Sequence, residues 1–281
     1  KTTVTYNPVT PEAPTYTATA ETKSVVRTIN YYDRVTGAKI PAELIHDNPT
    51  TQTVQLTRNH VVSSTGQDMG YGTVSADGKT FTKATNDDGW NTGKWDQVVS
   101  QDLTKAGYTA PDVSEAEEVN VNYKTTNTVV NVYYGHQTEL VTPNTPHNPG
   151  DNINPNDPRQ TPSTYPAGLA KTDLQQTVNR TIHYKGINEN GQTVDVNGAP
   201  DGKNTYTQTV SFERHAVVDK VTGQVLGYDT DADTTTPKVT TIDANRAWLP
   251  ATQNMTTVDS KQPSEVGYDN VDIKTVGGMT V

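Results

Sequence analysis

The sequence repeats itself, and no other feature constrains its fold as strongly. Val26-Arg27-Thr28-Ile29-Asn30-Tyr31 returns as Asn179-Arg180-Thr181-Ile182-His183-Tyr184. Gln52-Thr53-Val54-Gln55-Leu56-Thr57-Arg58 returns as Gln208-Thr209-Val210-Ser211-Phe212-Glu213-Arg214. Gly66-Gln67 and Gly70-Tyr71 match Gly223-Gln224 and Gly227-Tyr228; Trp95 reads against Trp248, and Gly107-Tyr108 against Gly267-Tyr268. The order is kept throughout. A chain that carries one unit twice folds as two related modules, each closing its own core.

Composition agrees with small cores. Only 31% of the 281 residues are hydrophobic, there are 14 Tyr against 2 Phe, and there is no Cys. Tyrosine supplies apolar bulk with a polar tip and tolerates partial burial in thin domains. Without cysteine there is no disulfide or thiol chemistry, which leaves a cytosolic protein or an exported one from an organism that avoids disulfides. The net charge of −10 opposes binding to nucleic acid, where Lys and Arg must neutralise phosphates. No apolar run approaches the ~20 residues of a membrane span, so no membrane insertion is expected.

The local signals are β. Val25–Tyr31 is rich in β-branched and aromatic residues, and Gln52–Thr57 alternates with Val54 and Leu56 on one face, the period-two pattern of a half-buried strand. Asp77-Gly78 marks a hairpin between Val74 and Phe81. Asn120–Tyr123 and Thr128–Tyr134 read as a closing hairpin, and Trp95–Lys105 as the one helix, with Trp95, Val98, Val99 and Leu103 at near-helical spacing. Prolines recur every third residue at Pro8, Pro11 and Pro14, and again at Pro143, Pro146 and Pro149, the polyproline II period. The expected architecture is therefore mostly β: two tandem modules, β-grasp-like or sandwich-like, strung like beads on proline-rich spacers. Residues 1–21 are the end of a preceding repeat plus a spacer, 22–136 the first module, 137–171 a Pro/Asn-rich spacer, and 172–281 a second module that lacks a counterpart of the Thr128–Tyr134 strand.

The Arg-Thr-Ile-Asn-Tyr opening at Arg27–Tyr31, the Gln-Thr-Val at Gln52–Val54, the Thr-Gly-Gln at Thr65–Gln67 and the Gly-Tyr-Thr at Gly107–Thr109 resemble the larger module of lactobacillal mucus-binding repeats. The second copy carries Arg180–Tyr184, Gln208–Val210, Thr222–Gln224 and Gly267-Tyr268 in the same order. The resemblance covers both modules and leaves out the spacers. It implies an exported, peptidoglycan-anchored Gram-positive surface adhesin, with its anchor outside this segment, whose partners are host mucin glycans or glycoproteins and immunoglobulin. The sequence departs from the pattern in having a spacer in place of the smaller preceding module, Lys185-Gly186 where the first copy has Tyr32-Asp33, and no sorting signal. An alternative is a non-binding stalk that projects a distal adhesive domain.

Three sets of residues are candidates for chemistry. Trp90 lies in the polar loop Asn86-Asp87-Asp88-Gly89-Trp90-Asn91, which has no evident counterpart in the second copy. An indole beside carboxylates and amides suits a sugar: Trp90 stacks on the apolar face while Asp87, Asp88 and Asn91 take hydroxyls. The competing reading is an indole folded back onto its own module. Asp229, Asp231 and Asp233 alternate as in a calcium loop, but Thr234 and Thr240 stand where an EF-hand needs Gly and Glu, so a solvated loop is the default and calcium the alternative. The matched aromatics are core anchors first. No His-Glu-x-x-His, nucleophile elbow or phosphate loop is present, and no enzyme is expected. A monomer is expected, with one reservation: Thr2–Tyr6 of one molecule is able to complete the missing edge of a neighbour's second module.

Overall fold

The structure, a computed structural model, describes residues 1–281. It is almost entirely β and divides into two compact units, Lys1–Asp102 with Ala110–Gly135, and Leu103–Thr109 with His136–Val281. No helix is long and apolar enough to cross a membrane. Residues 1–15 form no strand and are exposed.

The first unit is built on β1 (Tyr16–Asp33) and β2 (Thr50–Ser63), followed by β3 (Asp68–Val74), β4 (Phe81–Lys83), β5 (Gly93–Trp95), β6 (Val98–Val99), β7 (Tyr108–Pro111), β8 (Glu115–Ala116), β9 (Val119–Val121) and β10 (Thr128–His136). The main sheet runs β4-β3-β2-β1-β10-β7. From Val25 to Asp33 every second side chain of β1 is buried, namely Val25, Arg27, Ile29, Tyr31 and Asp33, as the pleat requires of a strand with one face on a core. Val25, Leu56, Trp95 and Val121 form that core, with Val54, Trp90 and Tyr123 packed against it. The Asp77-Gly78 hairpin is present, with Val74 opposite Phe81 and Gly78 at a φ of 72°.

Two expectations fail here. Thr128–Tyr134 does not pair with Asn120–Tyr123; it runs parallel to β1 from Arg27↔Thr128 to Asp33↔Tyr134, while β9 pairs with β5. Trp95–Lys105 is not a helix. It holds the ends of two short ladders, β5 with β9 and β6 with β8, and only Thr104–Ala106 turns, as a 3-10 segment closed by Gly107 at a φ of 88°.

The second unit contains β11 (Thr138–Val141), the one-turn helix α1 (Lys171–Leu174), β12 (Gln175–His183), β13 (Lys185–Ile187), β14 (Thr193–Asp195), β15 (Thr205–Glu213), β16 (His215–Asp219) and β17 (Val225–Asp229), then β18 (Asn254–Met255), β19 (Val258–Asp259), β20 (Thr275–Val276) and β21 (Met279–Thr280). Its registers reproduce those of the first unit. Arg27 faces Gln52, and Arg180 faces Gln208. Tyr71 faces His60, Tyr228 faces Ala216, and a bulge follows in each, at Val61/Val62 and Val217/Val218. The 3-10 turn Pro263–Val266 ends on Gly267 at a φ of 81°, as Thr104–Ala106 ends on Gly107.

The expected spacer, residues 137–171, is folded. β11 pairs with β16, Thr138 opposite Asp219 and Val141 opposite Ala216, just as Tyr16 faces Ser63 and Thr19 faces His60 in β1 and β2. So β11 and β12 together stand for the single strand β1, and the residues between them are an insertion. That insertion folds over the sheet: Val141, Ile153, Tyr165, Leu169 and Leu174 form a core with Ala216 and Val218. The proline period misled because a few widely spaced apolar residues anchor this segment on β16, every residue of which is buried.

Candidate functional site

Two arginines per module organise the aromatic residues. Arg27 is buried. Its guanidinium lies 5.5 Å from the centroid of Trp95, bonds Gln52 Oε1 at 2.8 and 2.5 Å, and donates to the carbonyls of Asp96 and Glu117, both at 2.6 Å. Arg180 repeats this: it donates to Gln208 Oε1, to the carbonyl of Thr256 at 2.7 Å and to that of Gly277 at 2.6 Å. The Arg-Thr-Ile and Gln-Thr-Val motifs thus form one clamp that ties two distant loops to the first two strands. Because Thr256 stands where Asp96 stands, the buried Met255 replaces Trp95.

The second arginine corrects the pairing of tryptophans. Arg58 lies 3.8 Å from the ring centroid of Tyr71 and 4.6 Å from that of Trp90. Arg214 lies 5.1 Å from Tyr228 and 4.8 Å from Trp248. The counterpart of Trp248 is therefore Trp90 and not Trp95, and Trp90 does have a partner in the second module. The repeated Arg–Tyr–Trp stack is a cation–π arrangement. In the first module it is tied to β1 by Glu21, which accepts from Arg58 Nε at 2.6 Å.

The loop around Trp90 is tightly built. Asp88 Oδ1 accepts from the Trp90 amide at 3.1 Å and from Asn86 Nδ2 at 3.0 Å, while Asn86 Nδ2 also donates to the Trp90 carbonyl at 2.8 Å. Asn91 pairs with Thr57 like a strand residue, its side-chain oxygen accepting from the Thr57 amide at 2.8 Å. Gly89 has a φ of 68°, and a Cβ there would lie 2.3 Å from Tyr71 Cβ. These constraints hold Trp90 half-buried on the core with Arg58 against its ring.

A shallow cavity of about 200 Å³ opens beside this loop, lined by Asp88, Trp90, Asn91, Asn122, Tyr123 and Lys124 among others. Three of the four residues expected to grip a sugar converge here. Asp87 does not line it and is exposed. Sequence reading missed Asn122, Tyr123 and Lys124, which arrive from the turn after β9; nothing in the sequence links that turn to residues 86–92.

The carboxylates of the candidate calcium loop, Asp229, Asp231 and Asp233, are engaged by their own loop. Asp229 is buried and both its oxygens are occupied, by the amides of Asp231 at 2.8 Å and Lys238 at 2.9 Å. Asp231 and Asp233 are exposed and accept from their own loop. The three carboxylates do not converge, and no group of three or more His, Cys, Asp or Glu side chains is placed to hold a metal ion.

Residues 169–281 match the Muc B2-like domain family. The matched stretch falls on the second copy of the repeated motifs. Three solved structures are similar to the chain. A mucin-binding domain from Streptococcus pneumoniae is 25% identical over 43% of this chain and 96% of that one, with a TM-score of 0.30. A MucBP domain from Lactobacillus acidophilus is 16% identical over 43% and 99%, with a TM-score of 0.28. The type 2 repeat of a mucus-binding protein from Lactobacillus reuteri is 16% identical over 92% and 90%, with a TM-score of 0.29. No curated protein matches the chain.

Proposed function

We propose that the chain is the repeat region of a Gram-positive surface adhesin that binds host mucus glycoproteins through weak, repeated contacts and performs no chemistry on them. The match of residues 169–281 to the Muc B2-like family carries this reading. The cavity beside Trp90 supports it: an indole and a phenol supply flat apolar surface, and Asp88, Asn91, Asn122 and Lys124 ring it with polar groups, the mix that suits a saccharide. A shallow site of this kind binds weakly alone, and repetition raises the effective concentration for the next contact.

The test is capture of the two-module chain on immobilised mucin, before and after periodate oxidation of the glycans. Glycan-dependent capture that Trp90→Ala lowers by about tenfold or more supports the reading, since a stacked base or ring is worth roughly 1–3 kcal/mol. Absence of capture favours modules that only project an adhesive domain. Capture that survives Trp90→Ala moves the site to another face.

A further inference from the structure

A second, larger cavity lies inside the first module, with a volume of about 610 Å³. The main sheet lends it Arg27 from β1 and Val130 from β10, and the short ladders lend it Ala116 from β8 and Val119 from β9. Lys124 lines both this cavity and the one beside Trp90, so the two adjoin at the turn after β9.

Trp95 also lines the larger cavity, with 1% of its surface exposed, and its buried indole nitrogen has no hydrogen-bond partner. Buried donors are rarely left unpaired. The side chains of the core around Trp95, Val25, Leu56 and Val121, hold no acceptor, and the Arg27 guanidinium near its ring only donates. An acceptor for this N–H therefore comes through the cavity. The buried Met255 takes the place of Trp95 in the second module and has no donor to offer, so this feature belongs to the first module alone.

The remaining lining restricts the kind of acceptor. Two positive groups, Arg27 and Lys124, are balanced by two carboxylates, Glu115 and Glu117. An anion drawn to the first pair meets the second, so a neutral acceptor is favoured. Ala116, Val119 and Val130 give one apolar wall, while Thr125, Thr126 and Thr128 give hydroxyls that both donate and accept. A lone sugar hydroxyl uses the indole N–H but leaves the apolar wall uncovered. An acetamido group uses all three: its carbonyl accepts from Trp95, its methyl packs on the wall, and its N–H donates to a hydroxyl or carboxylate of the lining.

We infer that this cavity is a second saccharide subsite of the first module, which takes the acetamido group of an N-acetylated hexosamine, with Trp95 Nε1 donating to its carbonyl. The choice of a sugar over another amide rests on the reading of the chain as a binder of glycoproteins. The cavity beside Trp90 adjoins it, so a neighbouring sugar of the same glycan has a place to sit.

Titration of the full chain with N-acetylglucosamine and N-acetylgalactosamine tests this, followed on the indole N–H resonances of its 3 tryptophans. Trp95→Phe assigns the Trp95 signal, or through-space contacts to Val25 and Leu56 assign it if that variant does not fold. The Trp95 signal shifts saturably with the N-acetylated sugars. Glucose, galactose and the free amino sugars bind about tenfold or more weakly, because each lacks the methyl and the carbonyl. Val119→Glu, at a strand position 41% exposed, puts a third carboxylate into the cavity and weakens binding by a similar factor. An unmoved Trp95 signal overturns the inference. So does equal affinity for the parent hexoses, or for N-methylacetamide, which carries the amide without the sugar. Glycan-dependent capture on mucin with an unmoved Trp95 signal removes this subsite and leaves the adhesin reading standing; a shifted signal without capture does the reverse.

Discussion

Arg27 is the residue on which the first module turns. It is buried, its positive charge faces no carboxylate, and its hydrogen bonds go to one glutamine and two carbonyls. Arg27→Ala removes the donor to the Glu117 carbonyl and leaves the Asp96 carbonyl to Gln52 Nε2 alone, at about 1–3 kcal/mol for an unsatisfied buried group. Arg27→Lys does not rescue it, because a point charge cannot reproduce a planar fork. Urea unfolding of the three proteins should rank them wild type, then lysine, then alanine. Gly89→Ala forces a side chain into the left-handed region and against Tyr71; loosening of the Trp90 loop is expected as a red-shifted, quenchable tryptophan emission. Both arginine clamps were legible as repeated motifs, but not as clamps, because their partners are backbone carbonyls and carry no sequence signal. The tryptophans were misaligned for a related reason. Trp90 and Trp95 lie five residues apart, and the second module keeps the first with Trp248 and replaces the second with Met255. Only the arginine each ring meets reveals which is which.

At the scale of elements, strands with strict alternation were readable and short ladders were not. Val25–Tyr31, Gln52–Thr57 and the Asp77-Gly78 hairpin stand where the pattern put them. β5, β6, β8 and β9 have three residues or fewer, too few for a period, and their spacing imitates a helix turn. The insertion between β11 and β12 was hidden by its prolines. Its order depends on single anchors, so Val141→Asp places a charge in the fully buried layer over β16 and should cost about 3 kcal/mol or more, lowering the thermal midpoint of the second unit. Asp157 provides a second handle. Burial alone pushes its carboxyl up, but the side-chain and amide bonds of Arg159 and its charge outweigh that and hold it below the ordinary carboxylate value. A depressed folded value stabilises the protein fully above the unfolded carboxylate value of about 4 and loses that stability as pH falls through the folded one. Thermal melts of wild type and Asp157→Asn from neutral pH down to about 2.5 should converge at the acid end.

For the whole molecule, the repeat and the mostly β architecture were legible, and the cavity beside Trp90 was legible in half: the loop carrying Trp90 announced itself, while the turn at Asn122–Lys124 did not. The charge of −10 sets a test of how the chain meets an acidic glycan coat. Like charges repel at long range and salt screens them, so capture on sialylated mucin should strengthen from low to physiological ionic strength. Capture that weakens with salt would point to a cationic contact instead. The parallel register of β1 with β10 also decides how the first module answers a mechanical pull. A chain held at Tyr16 and drawn at Tyr134 slides two neighbouring parallel strands past each other, so the bonds from Arg27↔Thr128 to Asp33↔Tyr134 are strained together rather than peeled open one after another. That geometry is a shear clamp: the bonds between the two strands share the load and resist as one.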